Sequence, residues 1–219
     1  MTVSIMRFAM LLAALAAAWQ PSKAHAQDED TQFWLNAVAT GEIADGTTLT
    51  IDATQRWRGE DEVGADQQTI RVMVEQQVAG RTRLGGGVML FDTAGLTEIR
   101  LHQQATFTLG RIEARTRLEQ RFFDGADQME LRLRQRFTYN QPIADGWRGT
   151  AGVEWLGLLQ SRSAERGSST EQWRFQTSLV HSVSKNIDVG AIYWMVIFPR
   201  GDRPARTSHI PQAAITYRF

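Results

Sequence analysis

Arg111-Ile112-Glu113-Ala114-Arg115-Thr116-Arg117-Leu118-Glu119-Gln120-Arg121-Phe122 changes character at almost every residue. Glu113, Arg115, Arg117, Glu119 and Arg121 alternate with Ile112, Ala114, Thr116, Leu118 and Phe122. The pattern returns from Met129, where Glu130, Arg132, Arg134 and Arg136 alternate with Met129, Leu131, Leu133 and Phe137. A period of two sends successive side chains to opposite faces of a strand. Each stretch therefore reads as a strand with one charged and one apolar face. Its length, roughly ten residues, is what a tilted strand needs to cross a bilayer.

Similar segments recur along the chain between clusters of Gly, Asp, Asn and Pro. Strands are expected near Thr31–Gly41, Thr47–Arg58, Gln67–Val78, Thr82–Phe91, Glu98–Leu109 and Arg111–Phe122. They continue near Met129–Tyr139, Trp147–Leu159, Thr170–Ser182, Ile187–Phe198 and Ser208–Phe219. Short connections (Ala44 to Gly46, Ala79 to Arg81, Gly110, Pro142 to Gly146, Ser184 to Asn186) alternate with longer polar ones. The longer ones run from Gly59 to Asp66, Asp92 to Thr97, Asp124 to Gln128, Gln160 to Ser169 and Pro199 to Thr207. Outer-membrane barrels have short periplasmic turns and longer outer loops. The expected fold is all-β: an antiparallel transmembrane β-barrel of ten to twelve strands with a charged, Arg/Glu-rich interior. Eleven segments are counted, whereas single-chain bacterial barrels usually have an even number. Ten strands, twelve strands and a first segment threading the lumen all stay open.

With the apolar set turned to lipid, the outward rows include Leu49, Ile51, Ala53 and Trp57; Ile70, Val72, Val74 and Val78; and Ile99, Leu101, Ala105, Phe107 and Leu109. Trp57, Phe107, Phe122, Tyr139, Trp173 and Tyr217 lie near row ends, as an interfacial girdle requires. The opposite face then holds thirteen Arg against seven acids, with Arg100, Glu113, Arg115, Arg117, Glu119, Arg121, Glu130, Arg132, Arg134 and Arg136 at its centre.

The ends of the chain agree. Arg7, an apolar run from Phe8 to Trp19, and Ala24-His25-Ala26 form a signal-peptide pattern, with cleavage expected after Ala26. Residues 27–219 then form a single barrel domain exported to the outer membrane. At the other end Ile215, Tyr217 and Phe219 share one face and the last residue is aromatic, which looks like the signal read by the barrel-assembly machinery. Pro211 removes a ladder donor and is expected near the outer strand end, where a bulge absorbs it. The chain has no Cys, which excludes a disulfide framework. Its 24 basic and 24 acidic groups argue against a nucleic-acid partner.

The whole mature chain resembles a family of small bacterial outer-membrane barrel proteins known only as a domain of unknown function. The matching features are Gln32-Phe33-Trp34-Leu35-Asn36, Gln55-Arg56-Trp57-Arg58 and the two Arg-rich strands from Arg115 to Phe122 and Glu130 to Phe137. The resemblance implies a closed barrel and supplies no activity.

Three functional readings compete. A structural barrel or narrow passive channel has a lumen filled by ion-paired side chains, since barrels of this size have largely fillable interiors. An anion-preferring pore uses the basic excess for selectivity. An outer-leaflet lipase or deacylase needs a Ser, a His and a carboxylate together. For that last reading His209, Ser208 and Glu171 are the candidates, but neighbours on a strand point apart. His102 is expected inside the barrel and His181 toward lipid. Gly85-Gly86-Gly87 lacks a phosphate-loop setting and reads as a kink or as room for a facing Arg. Arg200-Gly201-Asp202 reads as ordinary loop sequence. The acidic loop at Glu60-Asp61-Glu62 reads as solvated charge, with divalent ions shared with lipopolysaccharide as its alternative. No metal-ligand spacing and no cofactor motif appear. The expected partners are outer-membrane lipids and lipopolysaccharide, the assembly machinery and small anions.

Overall fold

Each alternating stretch forms a strand. The computed structural model describes residues 28–58, 66–93, 96–163 and 167–219. The expected signal segment and the loop at Glu60-Asp61-Glu62 lie outside them. The strands are β1 (Asp28–Thr31), β2 (Phe33–Ala44), β3 (Thr47–Trp57), β4 (Gln67–Ala79), β5 (Thr82–Thr93) and β6 (Leu96–Leu109). They continue as β7 (Ile112–Phe123), β8 (Glu130–Ala144), β9 (Trp147–Gln160), β10 (Ser169–Ser182), β11 (Ile187–Arg200) and β12 (Arg203–Arg218).

From β2 to β12 each strand pairs antiparallel with the next. The barrel closes because β12 returns to β2 in parallel, from Gln212 opposite Trp34 to Arg218 opposite Thr40. The short β1 pairs parallel with the same strand, Asp28 opposite Arg206 and Thr31 opposite His209, in the same register. So β1 and β2 are one line interrupted at Gln32, whose N–H donates to the His209 carbonyl at 3.0 Å. The barrel has eleven staves, and a parallel seam accommodates the odd count. Pro211 sits in the middle of β12 with no bulge beside it. It stands where the parallel ladder breaks between β1 and β2. The expectation of an outer-end bulge is corrected accordingly: the strand begins at Arg203, well before the apolar pattern does.

Paired residues followed once round from Ala44 through Thr47, Gln76, Leu84, Ala105, Thr116, Gln135, Trp155, Trp173, Ile197 and Thr207 return to Glu29. A stagger of that size tilts the strands steeply against the barrel axis.

Tight turns close one end, with Gly46, Gly110 and Gly146 at φ of 64, 58 and 72°, a backbone conformation that hairpin turns demand and glycine adopts freely. The other end departs from the expected alternation. Only residues Gly201 and Asp202 separate β11 from β12, and two residues separate β5 from β6. There the ladder runs past the apolar pattern, pairing Arg200 with Arg203 and Thr93 with Leu96. Polar sequence above the apolar belt reads as loop but is strand.

Burial is inside out. Among the described residues thirty-one large hydrophobic side chains are exposed and seven are buried, while eighteen polar or charged residues are buried. In water such a surface would be untenable, since monomers rarely expose wide apolar patches. As a lipid-facing belt it is the expected arrangement. Phe33 stacks on Trp57 at 5.5 Å, and with Phe122 and Trp173 they mark one rim. Phe107, Tyr139, Trp147, Tyr217 and Phe219 are exposed at the turn end.

Candidate functional site: the lumen

Strands β6 to β10 turn their charged rows into the barrel, and the register decides who meets whom. Glu119 lies opposite Arg132 across the β7–β8 ladder and accepts its Nε at 2.9 Å. Arg134 donates Nη1 to Glu119 at 2.7 Å and Nη2 to Glu154 at 2.8 Å. Glu154 also accepts Arg115 at 2.7 Å, with Arg174 at 4.0 Å. Arg117 donates to Gln104 at 2.8 and 2.6 Å and lies 3.7 Å from Glu119. Gln104 in turn donates to Glu75 at 2.7 Å. Nearer the loop end Glu98 accepts Arg100 and, at 2.6 Å, Arg121, which also pairs with Glu130. Glu113 pairs with Arg83 at 3.0 Å, and Arg71 with Asp52 at 2.6 Å. Charges removed from water are costly unless paired and hydrogen-bonded. Here Glu119 and Glu154 are each 2 % exposed and each held by three guanidiniums. Those pairs join strands no more than two apart, so they brace the wall.

Arg56 and Arg136 differ. Among the described residues no carboxylate lies within 4 Å of either. Arg56 donates to Gln67 at 2.8 Å and lies 4.1 Å over the Trp34 ring. Arg136 donates to Gln176 at 3.0 Å and lies 6.0 Å from the Trp194 ring. Both line a cavity of about 430 Å³ between the charged bank and the strands that meet at the seam. Twelve Arg border it, against only Asp52 and Glu171 as acids. Its other side is partly aromatic, with Trp34, Trp194 and Phe198 packed around Val196 and Ile210. At the mouth, burial and then the like charge of Arg206 lower the pKa of Arg58, which Asp66 and Asp30 partly offset.

All ten residues expected in the central charge network thus face the lumen. Glu98 is an addition; its parity with Arg100 and His102 was a signal for it. Trp34 and Trp194 are also additions, and their inward placement runs against the expectation that aromatics mark the lipid rims. The Gly85-Gly86-Gly87 run makes room, but for Glu75 and His102 rather than an Arg. A Cβ on Gly85 would lie 2.6 Å from Glu75 Cγ, and one on Gly87 3.1 Å from His102 Cε1. His102 is buried inside, and His181 stacks on Trp147 at the turn end with centroids 4.4 Å apart. Ser208 and His209 point to opposite faces: Ser208 is buried in the lumen, while His209 Nδ1 lies 2.5 Å from the Tyr193 hydroxyl outside. Glu171 faces Arg132 and Arg121 at 3.5 and 3.8 Å. The three are not assembled. Ile215, Tyr217 and Phe219 are exposed together on the lipid face.

Known proteins share this architecture. A KdgM porin superposes with a TM-score of 0.50 at 12% identity, covering 83% of this chain and 89% of that one. A KdgM porin in complex with disordered oligogalacturonate gives 0.50 at 11% identity, covering 83% and 90%. At such identities the likeness is one of fold. An uncharacterised protein of Methylorubrum extorquens is 25% identical over 161 residues, 68% of this chain and 70% of that protein. The model of a family described as proteins of unknown function, DUF2490, matches residues 31–206, and the chain belongs to that family.

Proposed function

We propose that this protein is a narrow passive channel of the outer membrane that prefers small anions. The observation that carries the reading is the cavity bordered by twelve Arg and two acids. Within a low-dielectric wall, fixed charge of one sign raises the local concentration of the opposite sign. Arg-lined constrictions select anions on that basis. Arg56 and Arg136, held by neutral partners, add to the positive charge left where several guanidiniums share Glu119 and Glu154. The similar porin bound to oligogalacturonate, an acidic sugar chain, is consistent with solutes carrying carboxylates. The signal-peptide pattern expected from the sequence, the apolar belt and the C-terminal aromatic row support an outer-membrane location reached through the barrel-assembly machinery, among lipids and lipopolysaccharide.

A second reading, a structural barrel braced shut, is favoured by the ion pairs converging on Glu119 and Glu154. Planar-bilayer recording separates the two. The channel reading expects discrete conductance steps and, under a KCl gradient, a reversal potential displaced toward that of chloride. Arg56→Gln combined with Arg136→Gln shrinks that displacement. Absence of steps from folded protein would establish the braced barrel instead.

A further inference from the structure

The outward faces of β6 to β8 carry side-chain amides at mid-row, where most rows of the belt are apolar. Gln103 stands in the middle of the outward row Ile99, Leu101, Gln103, Ala105, Phe107 and is exposed. Beside it are Gln120 and Thr116 on β7, and Gln135 stands opposite Thr116 on β8. Corresponding mid-row positions elsewhere are mostly aliphatic, as with Ile51 and Ala53, Val72 and Val74, or Val189 and Ala191, and the exception on β10, Thr177, is a short hydroxyl rather than an amide.

Gln103 Nε2 donates to Gln120 Oε1 at 3.3 Å, and Gln120 Nε2 donates to Gln103 Oε1 at 3.2 Å. Thr116 Oγ1 donates to Gln135 Oε1 at 2.6 Å. A primary amide has two N–H donors and two acceptor lone pairs. These contacts therefore leave one N–H on Gln103, one on Gln120 and both on Gln135. At mid-belt depth neither water nor lipid headgroups supply partners, and an unmet polar group in hydrocarbon costs several kcal/mol. Acyl tails cannot repair this.

We infer that this face is where a second copy of the chain docks within the membrane. Side-chain amides both donate and accept, so one patch is complementary to itself about a two-fold axis, the isologous geometry of most dimers. Leu101, Leu118, Leu133 and Ala105 surround the amides and supply apolar contact. Interhelical amide bonds hold membrane helices together by the same chemistry.

The natural absence of Cys makes a direct test available. Full-length protein carrying Ala105→Cys, on the same outward row and leaving the amides intact, is folded into phosphatidylcholine vesicles and oxidised with copper-phenanthroline. A disulfide-linked dimer is expected in several-fold excess over that from Val189→Cys, which lies mid-row on β11. Gln103→Leu with Gln120→Leu, compatible with a lipid-facing position, is expected to weaken the dimer about tenfold or more in sedimentation equilibrium, from the hydrogen bonds lost. Three outcomes overturn the inference: a monomeric wild type in vesicles, equal cross-linking at both cysteines, or a dimer indifferent to the double Leu variant. Recovery of the patch bound only to a different protein, without self-cross-linking, overturns it as well.

Discussion

Glu119 is the residue on which the luminal wall leans most. It offers two carboxylate oxygens to Arg132 and Arg134, with Arg117 close by. Glu119→Gln keeps the shape and removes the charge, leaving three buried cations with one fewer counter-ion. Breaking a buried pair costs about 3–5 kcal/mol, which is the loss expected of this variant. The expected result is a lower urea midpoint for refolding in detergent, followed by tryptophan fluorescence. If the lumen conducts, the same variant shifts the reversal potential further toward chloride. Most of this network was legible, because parity along β7 and β8 fixes which side chains share a face. Its partners were not, because pairing across a ladder depends on a register that a single sequence leaves open. The Arg56–Trp34 contact was equally hidden, since Trp34 sits on the face that composition reserves for charge.

Strands carry two further expectations. On β5 a Cβ at Gly87 would lie 2.2 Å from the Val72 carbonyl oxygen and 2.9 Å from Met73 Cα, both backbone atoms of the adjacent strand. Gly87→Ala should therefore lower the folded fraction severalfold in a gel-shift assay of unheated samples, whereas Gly80→Ala, with nothing within 4 Å, should leave it unchanged. At the seam, deletion of Asp28–Thr31 removes the Asp28–Arg200 ion pair and uncovers Arg206 to His209. The β2–β12 pairing still closes the barrel. Faster amide exchange confined to Arg206 through His209 is the expected signature, and loss of folding would show that β1 is essential to closure. Strand positions were readable to within a few residues because the apolar period of two recurs on nearly every strand, with only a few polar interruptions such as Gln103. The ends at β11 and β12 were not, since paired Arg200 and Arg203 look like loop residues. The parallel seam was invisible for a different reason: nothing local distinguishes a strand that pairs parallel from one that pairs antiparallel.

For the whole molecule one orientation carries everything else: apolar rows toward acyl chains, guanidinium and carboxylate groups toward the hollow. An Arg placed mid-belt on the lipid face should cost about 2–4 kcal/mol. Val72→Arg is thus expected to lower barrel stability in lipid by that amount, read from a folding titration, while Gln104→Arg, facing the lumen, changes it differently by adding to an already basic bank. The most direct measurement is a fluorophore-labelled single-cysteine scan along β4, from Thr69 to Glu75, in vesicles with brominated lipid. Quenching should peak at Ile70, Val72 and Val74 and fall at Thr69, Arg71, Met73 and Glu75. The opposite phase, or equal access of all positions to an aqueous quencher, would contradict the account.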